Sequence, residues 1–258
     1  MASMAGIRYL ADRVAVITGS CSGMGFAVAE KLGECGAAVI VTGRNDDELN
    51  ETLYKLRGMG VVSAGINCNV GIDADRKKLL KFAKETFGEI DILVNNICMS
   101  GAVGERVTVD LNDWAKKLDI NVRSSFLLSQ EASKYLAKSA FGGRIVFMSS
   151  IGGYGSFEGV GSYTNVRKAL LGVNKTLSDT LKHQNIRVNV VASGIIPTEA
   201  PAFLLRKGEV RDPLVIFPIG HKEEALECAT TVSVLASEAA DHITGQCLPI
   251  YGNAIAGI

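Results

Sequence analysis

Seven short runs rich in valine and isoleucine recur along this chain, each separated from the next by a longer stretch of different periodicity. The runs are Val14-Ala15-Val16-Ile17, Ala38-Val39-Ile40-Val41, Val61 to Ile66, Ile92-Leu93-Val94, Ile145-Val146-Phe147-Met148, Val188-Asn189-Val190-Val191 and Cys247-Leu248-Pro249-Ile250. They lack strict polar alternation, so they suit strands buried on both faces. Helical patterns fall between them at 24–35, 46–58, 73–87, 111–138, 162–183 and 222–236. Strand–helix alternation at this spacing predicts a parallel sheet with helices on both sides. Right-handed crossovers then make it an α/β doubly wound sheet of the Rossmann type. No Pro/Ser-rich stretch, charge block or long repeat divides the sequence, so residues 1–258 read as a single domain. The least regular stretch, Pro197 to Gly220, follows a strand on the side where such sheets bind ligands, and is a candidate substrate lid.

Charge narrows the partners. Twenty-seven basic and 27 acidic side chains cancel, and the basic ones are scattered, which argues against a nucleic-acid or anionic-membrane surface. No apolar run approaches the ~20 residues of a membrane span. Met1 to Asp12 is too short and too weakly apolar for a secretion signal. The six cysteines form no C-x-x-C pair and no metal-ligand spacing with the three histidines, so no metal is expected. Reduced thiols in an intracellular, cytoplasmic protein are the expectation. The final Ala-Gly-Ile is not a peroxisomal address of the Ser-Lys-Leu kind.

Thr18-Gly19-Ser20-Cys21-Ser22-Gly23-Met24-Gly25 follows the first expected strand and opens the first expected helix. Glycine there permits a tight turn and lets backbone approach a pyrophosphate held at the helix N-terminus. Gly19, Ser20, Cys21, Gly23, Met24 and Gly25 are therefore candidate cofactor contacts. The second strand runs out through Val41-Thr42-Gly43-Arg44, with no acid at 42–44 to bond ribose hydroxyls. Arg44 offers a planar donor fork for a 2′-phosphate, which favours NADP(H) over NAD(H). Asp46 and Asp47 read as helix-start residues.

Tyr163 and Arg167 stand one helical turn apart, on one helix face. A fixed positive charge beside a phenol eases loss of its proton from a usual pKa of about 10. The pair is a candidate acid/base for carbonyl chemistry.

With the glycine loop, Asn95-Asn96, Asn121, Ser150 and Tyr163 in order, the chain resembles the short-chain dehydrogenase/reductase family over nearly its whole length. The stretches Gly88 to Asn95, Trp114…Asp119-Ile120-Asn121-Val122, Ala169-Leu170-Leu171-Gly172 and Asn185-Ile186-Arg187-Val188-Asn189 are most similar to its carbonyl reductases. The resemblance implies a nicotinamide-dependent oxidoreductase with a small, apolar carbonyl or alcohol substrate. It also implies a homo-oligomer, a tetramer or a dimer. Tyr163 would be the general acid in reduction or the base in oxidation. Ser150 would polarise the substrate carbonyl, and Asn121 would hold a water in the proton path. Asn95 would line the cofactor cleft. Asn69 would meet the adenine amino group, with Val70 beside it. Ile196 and Thr198 would contact the cofactor beyond the sixth strand.

The sequence departs from the family pattern at several points around the same cleft. Arg167 stands where the family has lysine, with Val166 before it. Arginine can bond ribose hydroxyls and keep a charge beside the phenol, but with a pKa above about 12 it cannot readily pass a proton to water. Lys168 is turned about 100° from that direction. Ile97-Cys98, Ser193-Gly194 and Tyr251-Gly252-Asn253 also differ from the family's usual residues. Two functions remain open at this point: an NADP(H)-dependent carbonyl reductase, or a catalytically weak or inactive cofactor-binding protein with a scaffold or regulatory role.

Overall fold

A computed structural model describes residues 8–99, 110–154, 161–194 and 225–250. The chain runs β1 (Val14–Ile17), α1 (Gly23–Glu34), β2 (Ala38–Gly43), α2 (Asp46–Gly58), β3 (Ser63–Asn67), α3 (Asp73–Phe87) and β4 (Ile92–Asn95). It continues through α4 (Leu111–Leu118), α5 (Ser124–Leu136), β5 (Gly143–Ser150), α6 (Gly161–Leu181), β6 (Ile186–Ser193), α7 (Ala225–Ala236) and β7 (Cys247–Ile250). The seven strands form one sheet in the order β3-β2-β1-β4-β5-β6-β7, and every neighbouring pair is parallel. The expected doubly wound sheet is thus observed.

Strand residues alternate between two cores, as the two-residue period of a pleated strand requires. Ala15, Ile17, Val39, Val41, Val94 and Met148 face α1, α2 and α7, where they meet Val28, Leu32, Leu53, Leu56, Val232 and Leu235. Val16, Ile40, Leu93, Ile145, Phe147 and Val190 face α3, α5 and α6, against Leu79, Leu80, Leu128, Leu136, Leu170 and Leu177. Both faces are covered, which is why the runs carry no polar alternation. No helix among the described residues is long and apolar enough to cross a membrane.

The structure departs from the sequence reading in one place that matters for the site. The helix expected at 111–138 is interrupted by a π-turn at Asp119–Arg123, between α4 and α5. Asn121 supplies a physical reason. Its side-chain Nδ2 donates to the Lys117 carbonyl at 2.9 Å. That carbonyl is the acceptor an α-helix would give to the Asn121 backbone N–H, so the side chain competes with the helix ladder and the turn widens.

The strand order reverses between β1 and β4, so the chain leaves the two strands in opposite directions and a crevice opens at their C-terminal ends. The glycine loop and Asn96 follow C-terminal strand ends on that edge of the sheet, and Ser150 is the last residue of β5. Behind it, α3 and α5 are joined by a buried charge. Arg76 is 3% exposed, and its Nη2 and Nε reach the Glu131 carboxylate at 3.0 and 3.2 Å, while Nη1 donates to the Val70 carbonyl. Without Glu131 this buried cation would keep only the exposed Asp73 carboxylate, 3.2 Å from Nη2, and the Val70 carbonyl. Glu131→Ala is expected to cost about 3 kcal/mol, read as a lowered urea midpoint with an unchanged slope.

Candidate active site

The glycine loop is held from three sides. Gly19 and Gly23 have φ of +60° and +53°, where a side chain would be strained. Gly19 N donates to the Thr42 hydroxyl at 3.0 Å, and the Gly19 carbonyl accepts from Asn96 Nδ2 at 2.9 Å. Thr18 Oγ1 accepts from Asn96 N at 3.0 Å and donates to the Val94 carbonyl at 3.3 Å. A Cβ on Gly25 would overlap the Gly19 carbonyl oxygen, so the first turn of α1 lies directly on the loop. Ser22 sits at the N-cap of α1 without a side-chain capping bond, and the first turn carries no acid. The N–H groups of that turn thus have no side-chain cap, an arrangement suited to an anion.

The candidate loop contacts therefore divide. Gly19, Gly23 and Gly25 shape the backbone. The Ser20 hydroxyl is fully buried, donating to the Ile17 carbonyl and accepting from Thr42 N, so its side chain braces the strands. Cys21 is half-buried and donates to the Thr42 carbonyl across 3.6 Å; burial pushes its thiol pKa up. Met24 packs on the core beneath the loop. Arg44, at the exit of β2, is exposed, and no hydrogen bond or ion pair ties it to other described residues. Asp46 and Asp47 open α2, where Asn45 Oδ1 accepts from Asp47 N at 2.8 Å.

Farther along the crevice, Asn69 is exposed and its Oδ1 accepts from Gly71 N at 3.1 Å, which leaves that oxygen one free lone pair. Val70 is buried within the core of the α3 and α5 face. Asn95 is buried, and its Nδ2 turns toward α5 to donate to Ser129 Oγ at 3.0 Å. Ile196, Thr198, Tyr251-Gly252-Asn253 and the candidate lid Pro197 to Gly220 lie outside the described residues.

Ser150, Tyr163 and Arg167 converge at the end of β5. The Ser150 hydroxyl accepts from Gly152 N at 3.3 Å. A Cβ added to Gly152 would lie 3.4 Å from Tyr163 Cε1 and 3.8 Å from Ser150 Oγ, so the ring and the hydroxyl flank that glycine. The Arg167 guanidinium lies 5.0 Å from the centre of the Tyr163 ring. It is 5% exposed; Nη1 donates to the Met148 carbonyl at 2.9 Å, and Nε is buried without a hydrogen-bond partner. Burial works to lower its pKa, but the Cys98 and Tyr163 side chains outweigh it and hold the guanidinium charged, above its ordinary value. Lys168 is exposed on another side of α6.

Asn121 does a different job from its neighbours. It is 1% exposed; Oδ1 accepts from Met99 N at 2.8 Å and Nδ2 donates to the Met99 carbonyl at 3.1 Å. The π-turn thereby grips the chain leaving β4. Thr18, Thr42 and Asn96 went unassigned in the sequence reading. Two are hydroxyls at the C-terminal ends of adjacent parallel strands, and that placement is the signal that could have found them.

A family model described as enoyl-(acyl carrier protein) reductase matches residues 19–252. The chain is 36% identical over 250 residues to dehydrogenase/reductase SDR family member 4 of Bos taurus, covering 95% of this chain and 88% of that protein. It is 33% identical over 250 residues to the protein of that name from Caenorhabditis elegans, covering 95% and 96%. Its structure resembles a short-chain type dehydrogenase/reductase from Mycobacterium marinum with a TM-score of 0.90, at 28% identity over 97% of this chain and 98% of that one.

The loop geometry predicts a contrast between two glycines. Gly25→Ala is expected to lower stability by about 1–3 kcal/mol and to abolish nicotinamide-cofactor binding. Gly58→Ala, where a Cβ meets nothing within 4 Å, is expected to leave binding intact. Urea melts and quenching of intrinsic fluorescence by NADPH measure both.

Proposed function

The chain belongs to the short-chain dehydrogenase/reductase family of oxidoreductases, and on that basis we propose that it uses NADP(H) to reduce a carbonyl, or oxidise the matching alcohol, on a small apolar substrate. The observation that carries the reading is the Ser150 hydroxyl and the Tyr163 ring flanking Gly152, with the Arg167 guanidinium against that ring. The residues present fit a dinucleotide. Gly25 leaves no room for a Cβ against the Gly19 carbonyl, a Cβ on Gly19 would run into Ile97, and the first turn of α1 has no side-chain cap. The nicotinamide, when bound, supplies the hydride.

The protein's own groups supply the rest. Ser150 Oγ donates to the substrate oxygen and polarises the carbonyl. The Tyr163 hydroxyl delivers the proton in reduction and takes it in oxidation. Arg167 keeps positive charge beside the ring, which favours the phenolate left after transfer. Asn121, whose side-chain N–H groups are spent on the Met99 and Lys117 carbonyls, keeps the second lone pair of its Oδ1 for a water in the path by which that proton is replaced. Arg44 pairs with a 2′-phosphate, with Gly19, Ser20, Cys21, Gly23, Met24, Gly25, Asn69, Val70, Asn95, Ile196 and Thr198 along the rest of the cofactor. A homo-oligomer, dimer or tetramer, is part of this reading.

One observation favours a second reading, a cofactor-binding protein of weak or no turnover acting as scaffold or regulator. Arg167 is buried, and one arm of its fork already bonds the Met148 carbonyl. A guanidinium also holds its protons too firmly to relay them.

NADPH binding and NADPH consumption over a panel of small ketones and aldehydes separate the two. Under the first reading turnover occurs, and Tyr163→Phe lowers kcat by about 10²–10⁴-fold with NADPH affinity kept. Binding without turnover, with activity appearing in Arg167→Lys, establishes the second. Arg44→Ala is expected to weaken NADPH by about 2 kcal/mol and NADH by much less. An unchanged ratio of the two affinities removes the 2′-phosphate assignment.

A further inference from the structure

Arg44 and Asp46 flank the N-cap of α2. Asn45 between them is extended, with φ −128° and ψ 129°, and its side chain is spent on Asp47 N at 2.8 Å. An extended residue turns the Cβ atoms on either side of it to the same face. The two Cα atoms are at most about 7.6 Å apart. An exposed guanidinium and an exposed carboxylate thus start from one side of a short, capped turn, yet no ion pair joins them.

The carboxylate is engaged elsewhere. Asn67, the last residue of β3, donates from Nδ2 to Asp46 Oδ1. The β2–β3 register sets Asn67 opposite Gly43, and Cys68 N donates to the Gly43 carbonyl at 3.0 Å. The amide therefore stands one strand over from the residue that precedes Arg44. Asn67 is half-buried, and its Oδ1 is buried without a hydrogen-bond partner. Among the described residues, Asp46 is the one side-chain partner of that amide. The bond fixes how the amide is turned, because the reverse placement would set its oxygen against the carboxylate.

We propose that Asn67 is a positioning residue for cofactor choice: it holds the Asp46 carboxylate away from Arg44 and so leaves the guanidinium fork open to a 2′-phosphate. The inference rests on the NADP(H) reading above. Without Asn67, Asp46 has no partner and shares its side of the turn with Arg44. A carboxylate paired with that fork takes the donors a phosphate would use. It also sets negative charge beside the phosphate. A ribose without the phosphate carries no charge at that place, so NADH is little affected.

Quenching of intrinsic fluorescence by NADPH and by NADH gives the ratio of the two affinities. Asn67→Ala is expected to weaken NADPH about fivefold, the worth of one exposed ion pair, and NADH by less than about twofold. A merely structural role would weaken both alike, so an unmoved ratio overturns the proposal. Adding Asp46→Asn to Asn67→Ala is expected to restore the ratio; a defect that persists also overturns it. Asp46→Asn alone changes an exposed side chain and leaves the sheet as it is. It is expected to move the ratio by less than about twofold, because the carboxylate is already held away. A larger rise means that Asp46 already opposes the phosphate, and it overturns the proposal even if Asn67→Ala fails to fold. Arg44→Ala separates the two levels. A ratio unmoved by Arg44→Ala removes the 2′-phosphate reading and the role of Asn67 with it. A ratio that falls with Arg44→Ala but not with Asn67→Ala removes the role of Asn67 alone.

Discussion

The hydrogen bonds that cross from β1 to β4 through Thr18, Gly19 and Asn96 set the shape of the crevice. Strand order reverses at this point, so nothing in the sheet ladder itself fixes how far apart the two departing loops lie. Asn96 does so with two bonds, one through its backbone and one through its side chain. The glycine loop can then rest on α1 only because Gly25 has no Cβ. Backbone N–H groups at a helix start bind an anion through position, and position here depends on a side-chain amide on the neighbouring strand's exit.

Arg167 shows how the same crevice handles charge. Taking a guanidinium out of water costs several kcal/mol unless acceptors replace the lost hydration. The Met148 carbonyl is one acceptor, and the electron-rich face of Tyr163 is a second, weaker one. Nε remains without one. The cation is therefore neither a surface charge nor a fully satisfied strut. Its position suits an electrostatic role toward the tyrosine, and its chemistry excludes a proton-passing one.

The sheet was legible because burial on both faces leaves a direct mark on the sequence, short Val/Ile runs without alternation. The glycine loop was legible because steric need restricts three positions to one residue type. The Ser150–Tyr163 placement came through family resemblance, since a serine after a strand or a tyrosine on a helix says little alone. The π-turn was not legible. Residues 111–138 keep helical periodicity throughout, and the break arises from one side chain competing for one carbonyl, Asn121 for Lys117. The Arg76–Glu131 pair was hidden for another reason: its partners stand 55 residues apart, on helices that meet only once the sheet is wound.

The exit of β4 links parts that the sequence presents as separate motifs. Three of the residues from Asn96 to Met99 make defined contacts: Asn96 bonds the glycine loop, Ile97 lies against Gly19, and Met99 is tied to the π-turn. A displacement at any of these positions moves the others, because the backbone between them has no slack over so short a span. The backbone at position 98 is therefore held between the glycine loop and the Asn121 turn.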